Sequence, residues 1–255
     1  MSSIEHVASS AIDLAVSMLN NGPQGSRVWK SDRDFADAAD FAIEDAVRSL
    51  LSTESPDMGF LGEERGRSGP EDRYWCLDPI DGTVNYTRSI PNHGVSLALI
   101  EDGIPIGGII ALPAFGERYT AFGGIARLNG VEVAASTTAT LAESVVTVGD
   151  FATGPGSVLK NERRLTMLGS LADSVGRVRM LGSAATDLAW LAAGRIDAVI
   201  IDANKTWDVA AGIALVRAAG AVVTHLDGHP YTLDGPNLLA AAPQVRDAIF
   251  SVVGS

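Results

Sequence analysis

Asp78-Pro79-Ile80-Asp81-Gly82-Thr83 follows a strand-like run from Arg73 to Leu77 and precedes a polar, helix-compatible stretch. Pro79 restricts φ and donates no hydrogen bond, so it stiffens the chain between two acids. Gly82 lets backbone approach a ligand with no Cβ in the way. If a helix begins here, the N–H groups of Gly82 and Thr83 face outward at the positive end of its dipole, a favourable place for phosphate. Two rigidly spaced carboxylates beside an anion cradle would repel the anion unless a cation lies between them. Hard divalent ions such as Mg²⁺ take oxygen ligands and share them with substrate phosphate. The same hexapeptide also suits a plain turn with Asp81 as an N-cap.

Three more acids stand out on either side. Glu63, in Gly62-Glu63-Glu64, closes a short strand from Met58 to Leu61; most such pairs are solvated turns. Asp208 sits in Trp207-Asp208-Val209-Ala210-Ala211-Gly212, in the first turn of a helix that is apolar for over two turns. An acid there is favourable against the dipole. So apolar a helix is mostly buried, which brings Asp208 near the interior and in need of a partner. Asp40 lies on the row Ala36–Asp40–Ile43–Val47. A carboxylate on an apolar row is costly unless paired or hydrogen-bonded; Lys30 is a nearby cation, and a boundary position would also account for it.

Helical spacing predicts helices over Ser3–Asn20 and Asp34–Leu51, the second with a solvent-side Glu44/Arg48 pair. The middle of the chain reads as β-rich. Val95–Ile100 and Ile104–Leu112 flank Glu101-Asp102-Gly103, a hairpin signal. After residue 138 strands and helices alternate, which divides the chain into an α+β half, 1–138, with the main acidic motifs, and an α/β half, 139–255, with the last aspartate. Strands are expected at Ser144–Val148, Val175–Leu181 and Ile196–Ile201, and helices at Val158–Leu171, Ala184–Ala193 and Trp207–Ala219.

Composition narrows the function classes. With 255 residues, 46% of them hydrophobic, the chain is globular in type. A net charge of −12 makes a nucleic-acid partner a poor expectation. No uninterrupted apolar stretch is long enough to span a membrane. One cysteine, Cys76, and no signal-like leader fit a reducing, cytoplasmic setting. Cys76 reads as a buried core thiol. His6, His93, His225 and His229 are scattered without metal-site spacing and read as structural or solvated. Arg163, Arg164, Arg177 and Arg179 read as ordinary surface.

The three acidic segments, with Asn85-Tyr86 after the first, resemble in order and spacing the signature motifs of the inositol monophosphatase family. Leu181-Gly182-Ser183-Ala184-Ala185 is similar to its small-residue substrate loop, and Lys30 and Asp40 to its early lysine and helix aspartate. The resemblance implies a layered α-β-α-β-α sandwich of the sugar-phosphatase type. It also implies a Mg²⁺-dependent, lithium-sensitive phosphomonoesterase, a homodimer with two or three ions per site. It assigns Glu63, Asp78 and the Ile80 carbonyl to the first ion and Asp78, Asp81 and Asp208 to the second, with a looser third on Glu63. Glu63, Thr83 and Asp40 would orient the attacking water. Gly82 and Thr83 would hold phosphate, with Gly182, Ser183, Ala184 and Asp208 lining the substrate. The expected reaction is direct in-line hydrolysis by a metal-activated water.

Two departures bear on the substrate. Where inositol-binding members often carry a glutamate seven residues before the final aspartate, this chain has Ile201, with Asp202 beside it; Asp37 replaces a common threonine. A phosphorylated polyol such as inositol monophosphate is the leading expectation. Histidinol phosphate, fructose 1,6-bisphosphate and 3′-phosphoadenosine 5′-phosphate are alternatives on the same fold, and a non-catalytic interaction protein is a further one.

Overall fold

The computed structural model describes residues 3–21, 27–31 and 34–254. Helix α1 (Ser3–Asn21) leads to a hairpin of β1 (Arg27–Ser31) and β2 (Asp34–Asp37), then to α2 (Ala38–Glu54). Strands β3 (Gly59–Gly62), β4 (Gly66–Ser68) and β5 (Arg73–Asp81) precede the short helix α3 (Thr83–Thr87). A meander follows: β6 (Gly94–Glu101), β7 (Ile104–Leu112), β8 (Glu117–Phe122), β9 (Ile125–Leu128) and β10 (Val131–Glu132). The rest alternates: β11 (Val145–Val148), α4 (Ser157–Ser174), β12 (Arg177–Arg179), α5 (Ala184–Ala192), β13 (Ala198–Ile201) and α6 (Thr206–Ala218). The chain ends with β14 (Val222–Thr224), β15 (Leu238–Ala241) and α7 (Arg246–Val253).

Two sheets stack between three helical layers. The eight-stranded sheet runs β10-β9-β8-β7-β6-β5-β3-β4, antiparallel except for β3 beside β5. The five-stranded sheet runs β12-β11-β13-β15-β14, with β11 parallel to both of its neighbours. Strand alternation divides the core. Trp75 and Leu77 of β5 pack with Ile12, Val47 and Leu51 of α1 and α2. Tyr74 and Cys76 face the other way, into a cluster with Leu188 of α5 and Val209 and Ile213 of α6. Val199 of β13 closes that middle layer from the second sheet, while Ile200 turns outward to Leu171 of α4 and Ile249 of α7. The layering is α-β-α-β-α. Gly212 permits it: a Cβ there would lie 2.3 Å from Leu188 Cδ1, so α5 and α6 approach only because α6 is bare at that point.

Three local expectations are corrected. The second helix starts at Ala38, not Asp34, because Asp34–Asp37 pairs with β1 as a strand. Asp37 then caps the helix, accepting from Ala39 N–H at 3.0 Å, while Asp40 accepts from Asp37 N–H at 2.8 Å. Glu44 does pair with Arg48, at 2.7 Å, but it is fully buried rather than solvent-facing. Arg164 is buried as well. Cys76 is a buried free thiol. Among the described residues no helix is long and apolar enough to cross a membrane.

Candidate active site

β5 carries Asp78, Ile80 and Asp81 at its buried end. Its pairing with β6 is regular through Asp78↔Ser96 and then shifts before Asp81↔Gly94. The irregularity falls where Pro79 cannot donate to the ladder. Gly82 follows at φ +83°, and a Cβ there would come within 2.9 Å of Asn92 O and 3.1 Å of Gly182 O. Glycine is required on both counts. α3 begins at Thr83, whose hydroxyl donates to Ile80 O at 3.0 Å.

The other acids come from distant segments. Glu63 opens the turn between β3 and β4 and is half-buried. Glu44 builds that turn: its carboxylate accepts from Glu64 N–H at 2.7 Å and Arg65 N–H at 2.9 Å. Asp208 stands three residues into α6 and accepts from Lys205 N–H at 2.8 Å. Asp40 occupies the same position in α2 and has no exposed surface. The Lys30 side chain lies outside the described residues.

These acids share one electrostatic neighbourhood. Burial pushes Asp78 well above the usual carboxylate range, and the charges of Glu63, Asp81, Asp208 and Asp40 push it further. Burial raises Asp81 to about 6, against the Ser183 hydroxyl and Ala185 N–H, which favour its charged form. Burial raises Asp208 to about 7, against Lys205 N–H, with Asp81 and Glu63 adding to the rise. Each carboxylate also has a local donor: Ile80 N–H to Asp78 at 3.1 Å, and Ala185 N–H to Asp81 at 3.0 Å with the Ser183 hydroxyl beside it. Among the described residues no three His, Cys, Asp or Glu side chains are gathered closely enough to hold a metal ion as they stand. The acids are nonetheless all oxygen donors and mostly buried, a chemistry that fits a hard divalent cation.

The small-residue loop meets this group from the second half of the chain. Ser183 caps α5, accepting from Thr186 N–H at 3.1 Å, and also touches Asp81. Asp81, Gly182, Ser183, Ala184 and Asp208 line a cavity of about 180 Å³ together with Asp150, Asp187, Ile201 and Ala203. Asn85, Asp150 and Asp187 carried no assigned role in the sequence. Asn85 donates to Asn92 O, Leu181 O and Gly182 O at 2.7, 2.8 and 3.2 Å, tying α3 to the loop. Asp187 is a lone acid in an apolar helix, which is a readable signal. Burial and Asp81 hold it well above the usual range, with the Thr147 hydroxyl opposing. Asp150 follows β11 with no local pattern to mark it.

The model of the inositol monophosphatase family matches residues 4–253. The inositol-1-monophosphatase ImpA of Mycolicibacterium smegmatis is 41% identical over 233 residues, covering 90% of this chain and 84% of its own. A probable inositol 1-monophosphatase ImpA of Mycobacterium tuberculosis is 38% identical over 251 residues, covering 97% and 93%. Among solved structures, the extragenic suppressor protein suhB of Bartonella henselae superposes with a TM-score of 0.91 at 31% identity, covering 99% of this chain and 98% of that one.

Proposed function

Because the chain belongs to the inositol monophosphatase family, we propose that it is a magnesium-dependent phosphomonoesterase acting on inositol monophosphate or a similar polyol phosphate. The observation that carries the proposal is that Glu63, Asp81 and Asp208, from three separate segments, all lie near enough to the buried Asp78 at the end of β5 to raise its proton affinity. With the Ile80 carbonyl they would hold two or three Mg²⁺ ions. Bound Mg²⁺ supplies charge neutralisation for the phosphate and lowers the pKa of the attacking water.

The remaining work falls to the chain. Gly82 and Thr83 N–H groups would orient phosphate oxygens, in a turn that Gly82 allows by its φ of +83° and its close approach to Asn92 O and Gly182 O. Glu63, Thr83 and Asp40 would position the water for in-line attack. The cavity between Asp81 and Asp208 on one side and Gly182, Ser183 and Ala184 on the other would take the leaving group. Phosphoryl transfer asks mainly for such positioning.

The ligand chemistry makes the substrate a small phosphate monoester, and the names of the bacterial relatives favour an inositol phosphate. The reading includes a cytoplasmic homodimer with neither a nucleic-acid nor a membrane partner, in line with the acidic charge. Phosphate release from a panel of inositol, fructose, histidinol and adenosine phosphates, with Mg²⁺ and with chelator, tests it. Chelator-sensitive turnover of inositol 1-phosphate is the expected result. Preference for another ester would move the substrate, and no turnover of any would favour a non-catalytic protein.

A further inference from the structure

Arg164 is a buried cation on the outer helix α4, 5% exposed, and a buried guanidinium is tolerated only when partnered. Its partners are not on its own helix. One guanidinium nitrogen donates to the Asp150 carbonyl, and Nε donates to Asp202 Oδ2 at 3.3 Å. One turn earlier on the same face, Asn161 clasps Ala152 through both backbone groups, at 2.7 and 3.0 Å. The two loops so held follow the adjacent parallel strands β11 and β13, and both border the cavity at Asp81 and Asp208.

The consequence is visible in which residues face that cavity. Ile201 and Ala203 line it, and the intervening Asp202 does not, being drawn to Arg164. Asp150 lines it too, its carboxylate close enough to Gly182 that a Cβ there would lie 3.5 Å from Oδ2. Building on the phosphatase reading, we infer that Arg164 is a positioning residue for leaving-group recognition. It latches both loops so that Ile201 and Ala203 offer an apolar face, and Asp150 an acidic one, to a ring bearing hydroxyl donors. Without the latch Asp202 is free to turn inward and Asp150 to withdraw from Gly182.

The test is steady-state kinetics with Mg²⁺ on two esters. One is inositol 1-phosphate; the other is p-nitrophenyl phosphate, whose leaving group makes no hydroxyl contacts. Arg164→Met is expected to raise KM for inositol 1-phosphate about tenfold with kcat changed less than about threefold, and to leave p-nitrophenyl phosphate within about twofold. Arg164→Lys should recover part of the KM. Unchanged KM, or equal losses on both esters, overturns the inference while wild-type turnover leaves the phosphatase reading standing. A wild type that hydrolyses neither ester sinks both. Should Arg164→Met not fold, Asp202→Asn keeps the guanidinium and its carbonyl partner; it is expected to raise the same KM about threefold, and no change overturns the inference.

Discussion

Glu63 and Asp81 differ in how each is held, and the difference sets what substitution does. Asp81 is gripped by Ser183 and Ala185 N–H, so Asp81→Asn keeps most of its packing and loses its charge. Turnover is expected to fall by several orders of magnitude with the melting temperature little changed; near-normal kcat would remove Asp81 from the site. Glu63 depends on its neighbours' backbone, which Glu44 holds. A Cβ on Gly62 would lie 2.2 Å from Glu44 Cδ, so Gly62→Ala must displace that carboxylate. A loss of about 1–3 kcal/mol in urea unfolding is expected, with activity falling as the Glu63 turn shifts. The acids themselves were legible because their spacing to proline and glycine is local. Glu44 reads in the sequence as a solvent-side residue because its pairing with Arg48 is a common surface pattern; nothing in the helix reveals that the turn after β3 covers it.

Periodicity located most elements, and Ile104–Leu112 was placed to the residue. It failed at the start of α2, where Asp34–Asp37 continues the helical stripe yet forms a strand, because a capping box at Asp37 and Asp40 opens the helix four residues later. It also left invisible the joints between elements. Asn85 on α3 supports three carbonyls on two loops. Asn85→Ala strands these acceptors at a cost of about 1–3 kcal/mol. It is also expected to raise KM for any phosphate ester, since the loop carrying Ser183 loses its tie to α3; a melting temperature and KM equal to wild type would show the tie to be idle.

The acidic patch works against the whole fold. Asp81 at about 6 and Asp208 at about 7 lie above their ordinary value of 3.8. The metal-free fold therefore binds more protons than the unfolded chain and loses stability as pH rises through about 4 to 7. The proposed divalent cation would replace those protons, so the rise in melting temperature on adding Mg²⁺ is expected to be small near pH 5 and larger near pH 8. A shift independent of pH would mean the ions bind elsewhere. Asp78, Asp81 and Asp208 each accept from a backbone N–H.

What the amino-acid sequence determined by itself was the family and the alternation of its elements, since proline, glycine and acid spacing act over a few residues and apolar periodicity over one helix or strand. What only the tertiary structure decided was the wall of the cavity: Asp187 on α5, and Asp150 and Ile201 on two loops that Arg164 contacts from the outer layer. Burial of a charge depends on what packs over it, and those partners are brought near by the stacking of two sheets, a long-range event with no local signature.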